Sequence, residues 1–63
     1  MILSTKEAAA YVRLGANTLE KLRLTGTGPA FLKLGRAVRY RSEDLDAWLD
    51  ARVVQSTSGQ VAA

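Results

Sequence analysis

The chain opens with a polar capping signal that leads into apolar positions at helical spacing. In the stretch STKE, Ser4 and Glu7 stand three residues apart, as in a capping box, where each side chain satisfies a backbone N–H group at the start of a helix. Three apolar residues then recur at i, i+1 and i+4 and form one face: Ala8, Ala9 and Val12. This pattern predicts a helix over residues 5–12 with Ser4 as its N-cap.

A second helix is predicted after the interruption RLGAN, in which Gly15 is the strongest helix breaker. Leu19 and Leu22 form the apolar pair of this helix, which covers residues 16–24. Arg23 lies at the edge of the apolar face, so part of its stem is expected to be buried. Two short helices joined by a tight turn that contains glycine are typical of a helix-turn-helix.

Two short segments that alternate with period two follow the stop signal TGTGP. These segments, FLKL at residues 31–34 and VRYR at residues 38–41, predict the strands of a hairpin. The intervening GRA, residues 35–37, fits a three-residue loop. Four residues then form the predicted core face of the hairpin: Leu32, Leu34, Val38 and Tyr40.

A last helix follows, with Ser42 as its predicted N-cap and two acidic residues in its first turn. Its apolar stripe contains Leu45, Trp48, Leu49 and Val53. Trp48 is expected to be the largest core anchor. The order is helix, turn, helix, hairpin, helix, which predicts a mostly α fold with a small β-hairpin, a winged helix-turn-helix, over residues 1–54. The polar residues 55–63 are predicted to form a disordered tail.

The composition narrows the function classes. A chain of 63 residues forms one small domain of marginal stability. It has no cysteine and no histidine, so a disulfide framework, a thiolate zinc site and the commonest general base are excluded. We therefore expect neither an enzyme nor a metal, cofactor or small-molecule ligand. No apolar run approaches the roughly 20 residues of a membrane span, and no secretory signal is recognisable, so a cytoplasmic protein without a membrane partner is expected.

Charge is unevenly distributed along the chain. Residues 13–41 carry seven bases and one acid, a net charge of +6, whereas residues 42–63 carry one base and four acids, a net charge of −3. A basic middle is typical of a surface that meets a polyanion, although clustering on a solvated surface produces the same asymmetry. The acidic last helix has the wrong sign for DNA and is expected to face solvent or a protein partner.

The exposed side of the predicted second helix carries residue types that read base edges in a major groove. Asn17 can bond adenine through two hydrogen bonds, Lys21 can donate to guanine, and Thr18 lies on the same side. The stretch NTLE also permits a second interpretation, a capping box in which Asn17 is the N-cap and Glu20 its partner. In that case the Asn17 side chain bonds the backbone and is not available to a base.

The stretch KLGRAVRYR, residues 33–41, carries four bases and no acid. Arg36 at the hairpin tip is predicted to enter a minor groove or to hold a phosphate. Three further bases on one face are predicted to neutralise phosphates: Lys33, Arg39 and Arg41. The alternative is an edge strand protected from aggregation by charge, which explains charges of either sign. Thr5 is a further phosphate candidate at the start of the first helix, although Ser4 and Glu7 already satisfy that end.

Residues 4–49 resemble the small excisionase-like and AlpA-like regulators, which belong to the MerR-type winged helix-turn-helix superfamily. The segments that carry the resemblance, in this order and spacing, are EAAAYV, NTLEKLR, GPAFLKLGRAVRYR and DLDAWL. The resemblance implies DNA binding by the second helix and the wing. The residues carried over by position are Asn17, Thr18, Lys21 and Arg36. The chain departs from the family pattern at Arg13, where a glycine is common, and at Gly15-Ala16, where Ser-Pro is common.

The leading hypothesis is therefore a sequence-specific DNA-binding protein, a small transcriptional regulator of the phage or mobile-element type. The alternative within this class is an excisionase that bends DNA and recruits an integrase. The alternative from another class is a protein-binding adaptor that does not bind DNA. The expected partners are double-stranded DNA, further copies of the chain along it, and an integrase or RNA polymerase. One module of this size buries only roughly 600–1,000 Å² on DNA, so several copies on one duplex are expected.

Overall fold

The computed structural model describes residues 1–54, which form three helices and one antiparallel three-stranded sheet of order β1-β3-β2. The elements in chain order are β1 (Ile2–Ser4), α1 (Thr5–Val12), α2 (Ala16–Thr25), β2 (Leu32–Leu34), β3 (Ala37–Arg41) and α3 (Ser42–Asp50). The predicted winged helix-turn-helix is confirmed, with β2 and β3 as the wing. The predicted tail, residues 55–63, lies outside the described residues. None of the helices in residues 1–54 has the length and apolarity needed to cross a membrane.

The start of α1 is fixed by the predicted capping box. The Glu7 N–H donates to Ser4 Oγ at 3.1 Å, and the Ser4 N–H donates to Glu7 Oε1 at 2.9 Å. Two N–H groups that the helix itself leaves unpaired are thereby satisfied. The predicted face of α1 is confirmed as well, because three of its residues belong to the buried core: Ala8, Ala9 and Val12.

Both helices of the helix-turn-helix end in the same hydrogen-bond pattern, a Schellman motif around a left-handed residue. At the end of α1, Arg13 has φ 64° and ψ 37°, and the Leu14 N–H donates to the Ala9 carbonyl at 2.9 Å. At the end of α2, Gly26 has φ 75°, and the Thr27 N–H donates to the Leu22 carbonyl at 3.1 Å. Arg13 thus adopts the positive φ that glycine usually supplies.

Strand β1 is an element that the sequence pattern did not reveal. Its register on β3 pairs Ile2 with Arg41, Leu3 with Tyr40 and Ser4 with Arg39. A strand of three residues offers only one buried position, here Leu3, so no alternation is available to identify it. Its effect on the fold is large, because it makes β3 the central strand of the sheet.

The hairpin loop is one residue shorter than predicted. Leu34 pairs with Ala37, so the loop contains only Gly35 and Arg36, and the predicted three-residue loop over 35–37 is wrong. Gly35 has φ 63°, the sign that a type II′ turn requires at its first loop position. The twist of such two-residue turns matches that of the strands they join, which favours this loop over the longer one.

The shorter loop changes which residues share a face, because a shift of one residue exchanges the two sides of a strand. We call the side of the sheet that carries Leu3 and Tyr40 the inner face and the opposite side the outer face. Lys33 pairs with Val38 and lies on the inner face, whereas Leu32 pairs with Arg39 on the outer face. The prediction that Leu32 and Leu34 face the core with Val38 and Tyr40 is therefore wrong.

The core lies between the inner face of the sheet and the three helices. Its largest fully buried side chains are Tyr40, Leu19 and Leu45. The expectation that Trp48 is the main anchor is wrong, because Trp48 is only half-buried whereas Tyr40 is fully buried. Val53, predicted to extend the stripe of α3, follows the end of the helix and is exposed.

The start of α3 also differs from the prediction. Helix α3 begins at Ser42 with Arg41 as the N-cap, and no side chain caps it, so Ser42 is not the N-cap. The Ser42 N–H donates to the Met1 carbonyl at 2.9 Å, next to the last pair of the β1–β3 ladder. Strand β3 therefore continues into α3 without a linker, and the helix is held directly on the sheet.

Candidate nucleic-acid interface

The exposed stripe of α2 contains the residues predicted to read bases. Asn17, Thr18 and Lys21 are all exposed. The N-cap of α2 is Gly15, with φ −71° and ψ 149°, so Asn17 lies inside the first turn and the interpretation of NTLE as a capping box is wrong. Within residues 1–54 the Asn17 side chain has no hydrogen-bond partner, which leaves its amide available for recognition.

Leu24 extends this stripe by one turn, although the sequence pattern gave it no function. It follows Asn17 and Lys21 at i+7 and i+3, and 82% of its surface is exposed, the largest fraction among the large apolar side chains in the described part of the chain. Apolar side chains in a major groove contact the methyl group of thymine. The signal available in the sequence was a leucine on the polar side of an amphipathic helix.

The last turn of α2 contacts the wing through Arg23. The Arg23 Nη1 donates to the Tyr40 hydroxyl at 3.2 Å, and its guanidinium lies 5.8 Å from the centroid of the Phe31 ring. The Phe31 and Tyr40 rings are 6.2 Å apart and tilted by 51°. Arg23 is half-buried, as predicted, and it holds the inner face of the wing against α2.

The loop between α2 and the wing is held by α3. The Thr27 carbonyl accepts hydrogen bonds from Trp48 Nε1 and Arg52 Nη2, both at 3.1 Å. The Arg52 guanidinium also lies over the Trp48 ring, 4.6 Å from its centroid, in a cation–π contact. On the other side, a Cβ added at Gly28 would approach Leu22 Cβ to 2.9 Å, so only glycine lets the loop pack against α2. These contacts set where the wing begins relative to α2.

The bases of the wing are distributed over both faces and the tip. Arg36 occupies the second loop position and is exposed. Lys33 lies on the inner face, on the side where Phe31 and Tyr40 meet α2. Arg39 lies on the outer face, where it is half-buried and donates to the Val38 carbonyl at 2.9 Å. The prediction that Lys33, Arg39 and Arg41 line one face is therefore wrong.

Arg41 differs from the other bases because it has an ionic partner. Its Nε donates to Asp44 Oδ2 at 2.7 Å and its Nη2 donates to Asp44 Oδ1 at 3.1 Å. This two-point contact raises the pKa of Arg41, chiefly through the hydrogen bond to the carboxylate. The charge of Arg41 is balanced at the start of α3, so Arg41 is the weakest phosphate candidate of the wing.

The remaining phosphate candidate lies at the start of α1. Thr5 is the first residue of α1 and is half-buried beside the capping box, whose own hydrogen bonds already use the N–H groups of Ser4 and Glu7.

The acidic helix α3 is linked to α1 by a side-chain hydrogen bond. The Tyr11 hydroxyl donates to Asp46 Oδ1 at 2.7 Å. This hydrogen bond is the main reason that the pKa of Tyr11 is raised.

Residues 1–54 contain no cluster of three or more acidic, histidine or cysteine side chains that could hold a metal ion, and no pocket. A family model described as a helix-turn-helix domain matches residues 2–53 of the chain. The matched segment includes every helix and strand of the described part, from β1 to α3. The search of curated proteins gave no match.

Proposed function

Because the chain belongs to the family of helix-turn-helix domains, a DNA-binding family, we propose that it is a sequence-specific DNA-binding regulator. In this proposal α2 enters the major groove and reads bases with Asn17, Thr18 and Lys21. The wing enters the adjacent minor groove with Arg36 at its tip. We infer a role in transcription of the phage or mobile-element type, as the resemblance to AlpA-like regulators implies.

The family match supports DNA binding, and the placement of charge around the wing supports its insertion into a groove. A wing that lies flat on DNA needs its bases on one face, whereas this wing has Lys33 on the inner face, Arg39 on the outer face and Arg36 at the tip. A hairpin inserted tip-first meets both walls of a groove, so bases on both faces are then useful. Lys33 and Arg39 would each neutralise a phosphate on a different strand, which supports insertion over flat docking.

Binding to DNA is expected to weaken as the salt concentration rises. Four bases without an ionic partner in residues 1–54 face the proposed DNA: Lys21, Lys33, Arg36 and Arg39. If each displaces counterions from a phosphate, log affinity falls with log salt concentration at a slope of about −3 to −4. The measurement is fluorescence anisotropy at several salt concentrations, on a duplex selected from a random pool and on a scrambled duplex of the same composition. Equal, weak binding to both duplexes with almost no slope supports a protein-binding adaptor instead.

One observation favours the excisionase alternative, which requires DNA bending. Leu34 stands directly before the hairpin loop, opposite Ala37, and 56% of its surface is exposed. Apolar side chains that enter a minor groove beside a basic residue unstack base pairs and kink the duplex by about 20–90°. A protein that inserts Leu34 together with Arg36 is therefore suited to bend DNA.

A bend measurement tests this second candidate. Energy transfer between dyes at the two ends of the selected duplex is expected to rise when the protein binds. Leu34→Ala is expected to remove most of this rise while it keeps the salt slope, because the alanine removes the wedge and no charge. Val53→Ala, at an exposed apolar residue after α3 and outside the wing, is the matched control. A straight duplex with the parent protein contradicts the excisionase candidate and leaves the transcriptional regulator.

A further inference from the structure

Arg13 has a backbone conformation that its residue type disfavours. Among residues 1–54 it is the only residue other than glycine with a positive φ. Its Cβ crowds the following carbonyl oxygen in this conformation, which glycine avoids. The chain uses glycine at the equivalent position of the same motif at the end of α2, where Gly26 has φ 75°. The arginine at the end of α1 therefore lowers the stability of the fold.

The Arg13 side chain does not compensate for this strain inside the domain. Arg13 is exposed, and within residues 1–54 it forms no ion pair and its guanidinium forms no hydrogen bond. The turn itself is held by backbone hydrogen bonds, from the Arg13 N–H to the Ala10 carbonyl at 3.2 Å and from the Leu14 N–H to the Ala9 carbonyl at 2.9 Å. A glycine would make the same two bonds. Strained residues that the fold itself does not need are characteristic of functional sites.

We propose that the Arg13 guanidinium binds a DNA phosphate at the edge of the major groove that α2 enters. This inference rests on the proposed function, in which the first turn of α2 meets base edges. Arg13 precedes the N-cap Gly15 by two residues, so it lies within about 14 Å of Asn17 along even a fully extended chain. The groove is about 12 Å wide, so the long Arg13 side chain, which starts within that bound, can reach a phosphate at the border of the groove. The contact would fix how far α2 enters the groove.

The test separates the charge of Arg13 from its backbone strain. Arg13→Gln removes the charge and keeps a side chain in the left-handed conformation, whereas Arg13→Gly removes both. With this fifth phosphate contact the parent slope becomes about −4 to −5, and both variants are expected to bind the selected duplex roughly tenfold more weakly, with the slope of about −3 to −4 that the other four bases give. Arg13→Gly alone is expected to raise Tm by a few degrees, because it relieves the strain. Arg13→Lys keeps the charge and is expected to keep most of the slope.

The outcomes distinguish this inference from the function on which it rests. If the parent protein binds DNA with the expected slope and both neutral variants bind equally well, the phosphate contact is wrong and the proposed function stands. If the parent itself shows no salt-dependent binding, the proposed function fails and the contact fails with it. A variant that is weaker only because it is misfolded is identified by its Tm, which is expected to be higher than that of the parent for Arg13→Gly.

Discussion

Tyr40→Ala is expected to unfold the domain. Tyr40 is fully buried at the centre of the core, its ring packs against Phe31, and its hydroxyl accepts a hydrogen bond from Arg23. Truncation of a buried aromatic side chain lowers the free energy of unfolding by about 3–5 kcal/mol. A domain of this size rarely has more than about 3–5 kcal/mol in total. Circular dichroism at 25 °C is therefore expected to show the variant mostly unfolded.

Tyr40→Phe is the matched control, because it keeps the ring and removes only the hydroxyl. The Arg23 guanidinium then loses its acceptor and stays half-buried, so the expected loss is about 1–2 kcal/mol and the variant remains folded. Urea unfolding of the two variants and the parent measures both differences. A folded Tyr40→Ala protein with a Tm near that of the parent contradicts the central position of Tyr40 in the core.

Arg36→Ala is expected to weaken binding to the selected duplex by about 10- to 100-fold, the largest effect of a single surface substitution. Arg36 is exposed at the tip of the wing and has no ionic partner in the described part of the chain. A hydrogen-bonded charge contact contributes roughly 1.5–3 kcal/mol, which corresponds to this range of affinities. Arg41→Ala is the matched control on the same hairpin. Its expected effect is small, because Asp44 already balances the charge of Arg41.

Modified bases decide whether Arg36 enters the minor groove or binds only a phosphate. Guanine places an amino group in the minor groove, and inosine lacks it, so an inosine–cytosine pair presents a minor groove like that of an A·T pair. Substitution of A·T pairs beneath the wing by G·C pairs is expected to weaken binding by the parent, and inosine–cytosine pairs are expected to restore it. The Arg36→Ala variant is expected to be insensitive to both changes. If the parent is equally insensitive, Arg36 binds a phosphate outside the groove.

The elements with strong local signals could be predicted from the sequence. The capping box of Ser4 and Glu7 located the start of α1, and α2 extends only one residue past its predicted end. Such signals involve only residues within a few positions of one another, so the local sequence is sufficient to place the ends of these helices. Strand β1 lacks any local signal, because its pairing with β3 connects residues 35 to 39 positions apart. The core role of Tyr40 depends on that same pairing, since β1 makes β3 the central strand.

The candidate site likewise contains one part that could be predicted from the sequence and one part that could not. The exposure of Asn17, Thr18 and Lys21 follows from helical periodicity and was predictable. The faces of the wing were not, because alternation places Leu32 and Leu34 with the apolar residues of β3 and so favours the wrong register. The structure accepts Lys33 on the inner face because β2 is an edge strand and leaves that side chain exposed. The ion pair between Arg41 and Asp44 likewise depends on β3 continuing directly into α3.

The length of the wing loop determines which face of the sheet the side chains of β2 occupy. Strand β3 is fixed by the core and by β1, so an insertion between Gly35 and Ala37 that left the loop at two residues would shift β2 by one position and turn it over, with β3 in place. Lys33 would then join Arg39 on the outer face, and the inner face would receive Leu32 and Leu34. Such a shift of register would move the charges of β2 from one face of the wing to the other, with every charge retained.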